Sequence, residues 1–231
     1  MRRRKSSTGL VDGQQAAGNF DPVREFMTWS DKQGGGCMIL NSFNKSQPPE
    51  VPQMLYSAVV EQARQPAFFL HHGFADTVTG RFDCLALHLY LFTRRLVADP
   101  HPLAASLNQE VFDHFVRDTD RALRELGVGD TSVAKRNKKL LRGFYAMVDE
   151  LGAPLGNGDE TLLAETLAAR FKEHEGDQAT FDASVIARYT LDCAEHLQAQ
   201  DMEAILAGRL TWPDVPPRKG RHARNDRTTR R

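Results

Sequence analysis

Residues 110–151, EVFDHFVRDTDRALRELGVGDTSVAKRNKKLLRGFYAMVDEL, place two amphipathic patterns on either side of a short glycine turn. In the first half, apolar residues recur at steps of three and four, which is typical of a helix with one buried face. Asp113 precedes Arg117 and Asp120 precedes Arg124 by one helical turn, an order that favours ion pairs on the other face. The residues predicted to face inward are Val111, Phe112, Phe115, Thr119, Ala122, Leu123 and Leu126.

The turn itself is predicted to end the first helix and to begin the second. Gly127 suits the left-handed backbone that commonly follows a helix C-terminus, and Val128 can then fold back on the last turn. Asp130 is a good N-cap, because its carboxylate can accept a hydrogen bond from a first-turn N–H group. We therefore expect the second helix to begin at about Thr131.

The second helix combines an apolar stripe with a cationic one. Lys135, Lys138, Lys139 and Arg142 occur at relative positions 0, 3, 4 and 7, which places all four on one side of the helix. This side is either a solvated surface or a binding face for phosphate or an acidic polypeptide, and the spacing leaves both interpretations open. The residues predicted to be buried are Val133, Leu140, Leu141, Phe144, Val148 and Leu151.

These residues also carry a family resemblance. With its upstream extension, the stretch covering roughly residues 55–151 resembles the ubiquinol-cytochrome c chaperone family. The matching positions in the hairpin are Phe112-Asp113, Asp118-Thr119-Asp120, Leu123-Arg124-Glu125, Gly127-Val128-Gly129-Asp130, Val133, Lys135, Lys138 and Phe144-Tyr145. Those upstream are Tyr56, Ala67-Phe68, Arg81-Phe82-Asp83, His88 and Arg95-Leu96.

The resemblance implies a binding protein without catalytic turnover and without a cofactor. Members of this family bind newly made cytochrome b and assist assembly of the respiratory ubiquinol-cytochrome c reductase complex. Nascent cytochrome b is therefore the implied partner, and a ribosome or an additional assembly factor stays open as a second one. The family-matching positions and the cationic helix side together predict a client-binding surface: Phe82, His88, Arg95, Asp118, Asp130, Lys135, Lys138, Lys139, Arg142 and Tyr145. For three of these, local chemistry favours a simpler role: a core position for Phe82, a hydrogen-bonded core histidine for His88 and a helix cap for Asp130.

Charge is unevenly distributed along the chain. The 231 residues carry 30 basic and 30 acidic side chains, but residues 6–217 have a net charge of −10 and both ends are basic. The balanced total gives no general electrostatic argument for nucleic acid or membrane binding. The C-terminal cations are predicted to contact an anionic surface, either ribosomal RNA or a membrane: Arg218, Lys219, Arg221, Arg224, Arg227, Arg230 and Arg231.

Cysteine content indicates a reducing compartment, and hydropathy predicts no membrane-spanning helix. Cys37, Cys84 and Cys193 are too scattered for a disulfide framework. The longest apolar run, residues 84–92, is far shorter than the roughly 20 residues of a membrane span. Residues 2–5 are basic, but no apolar signal segment follows. We expect a cytoplasmic protein with peripheral contact to the inner face of the inner membrane as an open alternative, on the matrix side if organellar.

The fold class predicted is all-α, with one globular domain of about six to eight helices. Residues 1–50 form a predicted disordered extension, in which Met38 is an alternative start, residues 51–212 form the helical domain, and residues 213–231 form a basic disordered tail. The segment 78–98, which is apolar on almost every side between residues 84 and 92, is expected to be the central helix. Residues 152–158, rich in glycine and containing Pro154, are expected to form a loop.

No catalytic or metal-binding pattern emerges. His71 and His72 are adjacent and point about 100° apart on a helix, so they are poorly placed to share a metal ion. Asp113, Asp118 and Asp120 point in different directions, and arginine pairing explains them better than a diphosphate-Mg²⁺ site. The Gly127-x-Gly129 turn joins two helices and so lacks the context of a dinucleotide site.

The runner-up function is an RNA- or ribosome-binding helical adaptor, and a helical enzyme acting on diphosphates is third.

Overall fold

The computed structural model describes residues 50–171 and 181–217, and these residues form eight α-helices with no strand. The predicted all-α class is therefore confirmed. The expected disordered extension and most of the basic tail lie outside the described residues. In chain order the helices are α1 (Val51–Ala63), α2 (Pro66–Leu70), α3 (Val78–Val97), α4 (Ala104–Glu125), α5 (Asp130–Asn157), α6 (Glu160–Phe171), α7 (Ala183–Ala199) and α8 (Met202–Leu206).

Helix α3 is central, as its nearly all-round apolar pattern predicts. It contacts α1, α4, α5 and α7. Thr77 caps its N-terminus by accepting a hydrogen bond from Gly80 N at 3.1 Å, and Ala98 caps its C-terminus. Gly80 is required by close approach, because a Cβ atom there would lie 2.1 Å from the carbonyl oxygen of Ala75. The preceding loop is thereby pressed against the first turn of the helix.

Helices α4 and α5 form the predicted hairpin. Gly127 has φ +76°, its N–H donates to Arg124 O at 2.9 Å, and Val128 N–H donates to Leu123 O at 3.2 Å. These two bonds form the helix-ending motif expected from the sequence. Helix α5 begins one residue earlier than predicted, with Gly129 rather than Asp130 as N-cap, because Gly129 O accepts from Ser132 N and Val133 N.

The prediction of a loop at residues 152–158 is wrong, because α5 continues through Pro154 to Asn157. Leu151, Pro154 and Leu155 are all buried and extend the apolar stripe of α5 at steps of three and four. Their burial offsets the backbone hydrogen bond that proline removes. The helix ends instead at Gly158, which has φ +67°.

Residues 207–217, which we call the C-terminal strap, return across the helical core after α8. Trp212 and Val215 pack against the core. Gln62 Nε2 donates to Pro213 O at 3.1 Å, and His72 Nε2 lies 2.8 Å from Pro216 O. The strap, which is the last part of the chain that the structure describes, thus contacts both α1 and the segment after α2. Among the described residues, no helix is long and apolar enough to cross a membrane.

Candidate functional site

His88 is buried in the core and forms hydrogen bonds there, as its sequence context suggests. It is 0% exposed on α3, its Nδ1 lies 2.7 Å from Cys84 O, and its Nε2 lies 3.0 Å from the Tyr189 hydroxyl. A carbonyl oxygen can only accept, so Nδ1 carries the hydrogen and Tyr189 donates to Nε2. Tyr189 in turn accepts from Gln62 Nε2 at 2.8 Å.

Burial keeps His88 in its neutral form. Burial lowers the pKa of His88 to about 4, although its bond to the Cys84 carbonyl opposes that shift. The Trp212 ring of the strap covers the imidazole edge-on, with ring centroids 5.4 Å apart. In this structure His88 joins α3, α7 and α1 and has no surface for a client.

Arg95 is also buried and serves to hold the end of α7. Its Nε donates to Leu197 O at 3.0 Å and its Nη2 donates to Gln200 O at 3.1 Å. The same guanidinium pairs with Asp99. Burial tends to raise the pKa of Asp99, but hydrogen bonds from Arg95 and from His101 N–H bring that pKa below its usual value. Arg95 therefore caps a helix C-terminus from a neighbouring helix.

Asp118 and Phe82 are half-buried and connect α4 to its neighbours. Asp118 accepts a hydrogen bond from the Tyr56 hydroxyl at 2.9 Å and pairs with Arg121. The pKa of Tyr56 is raised by burial and by this carboxylate. The Phe82 ring packs against Phe115 at 5.8 Å between centroids.

The three aspartates of α4 follow the arginine-pairing interpretation for the most part. Asp120 pairs with Arg124 at 2.8 Å and Asp118 pairs with Arg121, whereas Asp113 accepts from Gln109 at 2.7 Å. Each carboxylate thus has a hydrogen-bond donor from the chain itself. Within the described ranges, no group of three or more His, Cys, Asp or Glu side chains is placed to hold a metal ion.

The predicted cations of α5 are the exposed part of the candidate set. Lys135, Lys138, Lys139 and Arg142, here called the cationic face, are all exposed. None of the four has an ion pair with another described residue, and the one hydrogen bond among them runs from Arg142 Nε to Lys138 O at 3.4 Å. The neighbouring Asp130 lies at the start of α5, where the structure gives no account of its side chain. The tail cations from Arg218 to Arg231 lie outside the described residues.

Tyr145 joins this face to a small depression between α3, α4 and α5. The depression, here called the aromatic slot, has a cavity volume of about 20 Å³. Asn108 lines it and is 2% exposed, yet its Oδ1 has no hydrogen-bond partner in the described part of the chain. The side chains that matter at the slot are Tyr90, Arg94, Asn108, Phe112, Phe144 and Tyr145.

Neither the slot nor the strap is predicted by the sequence patterns. Asn108 is followed by the polar residues Gln109 and Glu110 near the start of α4, so its amide looks like an ordinary surface group. Asn108 falls on the same helix face as Ala104, Leu107 and Val111, which are all buried. This spacing is the sequence signal that could have predicted the burial of Asn108. In the sequence, Trp212 and the prolines after it are typical of the end of a domain. The strap contacts join residues more than 100 positions apart, so no local pattern predicts them.

Neither of the two thiols in the described residues is activated as a nucleophile. Cys84 and Cys193 are both buried and free. Burial raises the pKa of the Cys84 thiol well above its ordinary value and raises that of Cys193 to about 12. A nucleophilic cysteine requires the opposite shift, so neither thiol is activated.

Comparisons with known proteins agree with this helical architecture. Residues 70–212 match the family model described as ubiquinol-cytochrome C chaperone. The crystal structure of the Cbp3 homolog from Brucella abortus is similar, with a TM-score of 0.64 and 30% sequence identity over 84% of this chain and 97% of that chain. A comparison with curated proteins gives no match. The match of the family model over most of the helical body, together with the similarity to this crystal structure, shows that the chain belongs to the ubiquinol-cytochrome c chaperone family.

Proposed function

We propose that this protein binds newly made cytochrome b and assists assembly of the ubiquinol-cytochrome c reductase complex. The observation that carries the proposal is the family match over residues 70–212, which includes α3, the hairpin and Trp212. A chaperone of this kind works by binding and release, so it needs an accessible surface rather than an activated nucleophile. The buried state of both described thiols is consistent with that role.

The exposed candidates on α5 are the client-binding surface that we propose. Among the ten sequence-predicted residues, His88 and Arg95 are engaged inside the protein, while Lys135, Lys138 and Arg142 are exposed. Cations without a partner bind an anionic group without first breaking an internal ion pair. The acidic surface elsewhere complements the basic cytoplasmic segments that membrane proteins carry.

Capture of cytochrome b from native membrane-containing lysate tests this proposal. We expect the tagged wild-type protein to retain cytochrome b, and the triple variant K135E/K138E/R142E to retain much less at low salt. The matched control is R64E/R117E/R209E, which makes the same change in net charge at exposed arginines just after α1, on α4 and after α8. Equal capture by both variants would remove the cationic face from the proposal, and no capture by the wild type would remove cytochrome b.

The exposed cationic face also favours a second candidate, an RNA- or ribosome-binding adaptor. Binding through several phosphate contacts weakens steeply as salt increases, because counterions are released from the nucleic acid. Steep salt dependence of RNA binding by protein ending at Pro217 would support the adaptor. Any Mg²⁺-dependent turnover of a diphosphate would instead support the third candidate, an enzyme.

The basic C-terminal residues are proposed to contact ribosomal RNA or an anionic membrane. Each cation near such a membrane contributes about 1 kcal/mol, and salt screens the contact. A client that enters the inner membrane during synthesis would bring the protein to the inner face of that membrane. If deletion of residues 218–231 leaves co-sedimentation with ribosomes and with membranes unchanged at low salt, the tail has no such role.

A further inference from the structure

The cationic face and the aromatic slot lie on one continuous side of α5. Lys138, Arg142 and Tyr145 follow each other at steps of four and three, and Lys135 precedes them by one turn. At 100° per residue these four side chains fall within a narrow arc, and they extend over roughly 15 Å of the helix. Tyr145 belongs to both features because it also lines the slot.

Charge around this side is positive although the protein body is acidic. Arg94 of α3 lines the slot and, like the cationic face, forms no ion pair with any residue in ranges 50–171 and 181–217. Residues 132–148 of α5 contain no aspartate or glutamate, whereas residues 6–217 as a whole have a net charge of −10. The local positive potential complements an acidic ligand.

The slot favours a ligand that carries a hydrogen-bond donor in addition to negative charge. Asn108 is 2% exposed and its Oδ1, like Asn137 Oδ1 and Trp212 Nε1, lacks a hydrogen-bond partner in the described residues. Of these three atoms, Asn108 Oδ1 is the one whose residue lines the slot, where a donor from a ligand would satisfy it. The surrounding rings of Phe112, Phe144 and Tyr145 make the slot aromatic. With room for about 20 Å³ inside, it accepts only the tip of a side chain, such as a hydroxyl or an amide.

We propose that the cationic face and the aromatic slot form one binding track for an acidic polypeptide segment, which inserts one donor-bearing side chain at Asn108. The carboxylates of the segment pair with Lys138 and Arg142, and the inserted side chain packs on Tyr145 and donates to Asn108 Oδ1. This inference rests on the proposed function in that it specifies the chemistry recognised by the same surface of α5. A tyrosine suits the slot best, since its ring fits the aromatic rim and its hydroxyl reaches inward.

A double-mutant cycle tests the inserted group. The probe is a short fluorescein-labelled peptide of glutamate and alanine with one central tyrosine, and binding is followed by fluorescence anisotropy. Replacing the peptide tyrosine by phenylalanine should weaken binding to the wild type about fivefold, as expected for one hydrogen bond. The same replacement should have no effect on the N108L variant. An equal loss on both proteins, or no loss on either, would overturn the slot assignment, and the peptide change cannot affect protein folding.

The charge component is tested with the same probe. The K138E/R142E variant should bind the acidic peptide about tenfold more weakly or worse at low salt, and R64E/R209E should bind as the wild type does. A peptide with lysine in place of glutamate should not bind. Tighter binding of a single-stranded RNA oligonucleotide, or of phosphatidylglycerol vesicles, to the same residues would overturn the polypeptide assignment.

The outcomes separate this inference from the proposed function. Capture of cytochrome b from lysate by a protein that does not bind the acidic peptide would overturn the binding track and leave the proposed function standing. Peptide binding with the expected coupling to Asn108, without capture of cytochrome b, would support the track and overturn the proposed function.

Discussion

At the residue scale, the buried imidazole of His88 links stability to pH. Its ordinary pKa is 6.5 and its pKa in the folded protein is about 4, because burial disfavours the charged form. The unfolded chain therefore binds a proton more tightly than the folded one. The stabilising contribution of the neutral ring is fully present above pH 6.5 and is lost as the pH falls towards 4.

The predicted loss of unfolding free energy from His88 between these two pH values is about 3 kcal/mol, from 1.36 kcal/mol per pKa unit. Urea denaturation at pH 7, 5.5 and 4 measures it, and H88Q should show a correspondingly smaller pH dependence. The exposed His71 provides the control, since H71Q should retain the wild-type dependence. His114 also has a lowered pKa, chiefly through burial, so some dependence will persist. If H88Q follows the wild type throughout, the network around His88 does not control this transition.

Asn108 gives a prediction of the opposite sign. A buried acceptor without a donor is costly, and leucine has a similar shape without the polar atoms. The N108L substitution should therefore raise the free energy of unfolding by about 1 kcal/mol, measured by urea denaturation. L107N, which places an amide at the neighbouring buried position, should destabilise the fold. A loss of stability in N108L would mean that the amide has a structural partner.

At the scale of elements, the turn between α4 and α5 depends on the backbone of Gly127. A Cβ atom at this position would meet nothing within 4 Å, so the only penalty of a side chain is the left-handed conformation itself. Gly143 within α5 is also free of neighbours within 4 Å, but it lies in regular helix. The same substitution should therefore act in opposite directions at the two glycines.

We expect G127A to lower the free energy of unfolding by about 1 kcal/mol through backbone strain. G143A should raise it by about 1 kcal/mol, because alanine favours the helix more than glycine does. Thermal unfolding followed by circular dichroism at 222 nm measures both. Equal effects of the two substitutions would show that the turn relaxes around the new side chain.

The elements that the sequence predicts well are those governed by local chemistry. Thr77 caps α3, Asp159 accepts from Leu162 N at 2.9 Å at the start of α6, and Gly127 ends α4, as capping preferences predict. The prediction of a loop at Pro154 is wrong because the local cost of proline is visible in the sequence, whereas the burial of Leu151 and Leu155 that offsets it is not. The candidate site follows the same division. Spacing alone predicts the exposed cations, but the slot depends on α3, α4 and α5 meeting at Asn108.

At the scale of the whole molecule, the C-terminal strap closes the fold over His88. Trp212 covers the imidazole, while Gln62 from α1 and His72 from the segment after α2 bind the carbonyl groups of Pro213 and Pro216. Residues distant in sequence thus depend on one another, so the strap should unfold together with the helical core. Its removal would expose the ring that the core keeps neutral.

Replacing Trp212 by alanine tests this dependence. Because the indole is half-buried, we expect the free energy of unfolding at pH 7 to fall by about 2–3 kcal/mol, somewhat less than for a fully buried tryptophan. The exposed Asp214 of the same strap supplies the control, and D214A should change stability by less than about 0.5 kcal/mol. W212A should also raise the pKa of His88 from about 4 towards 6.5, since burial is the main cause of its shift. NMR titration of the His88 ring protons measures that pKa. A destabilised W212A protein whose His88 pKa stays near 4 would show that the strap stabilises the fold without shielding the imidazole from water.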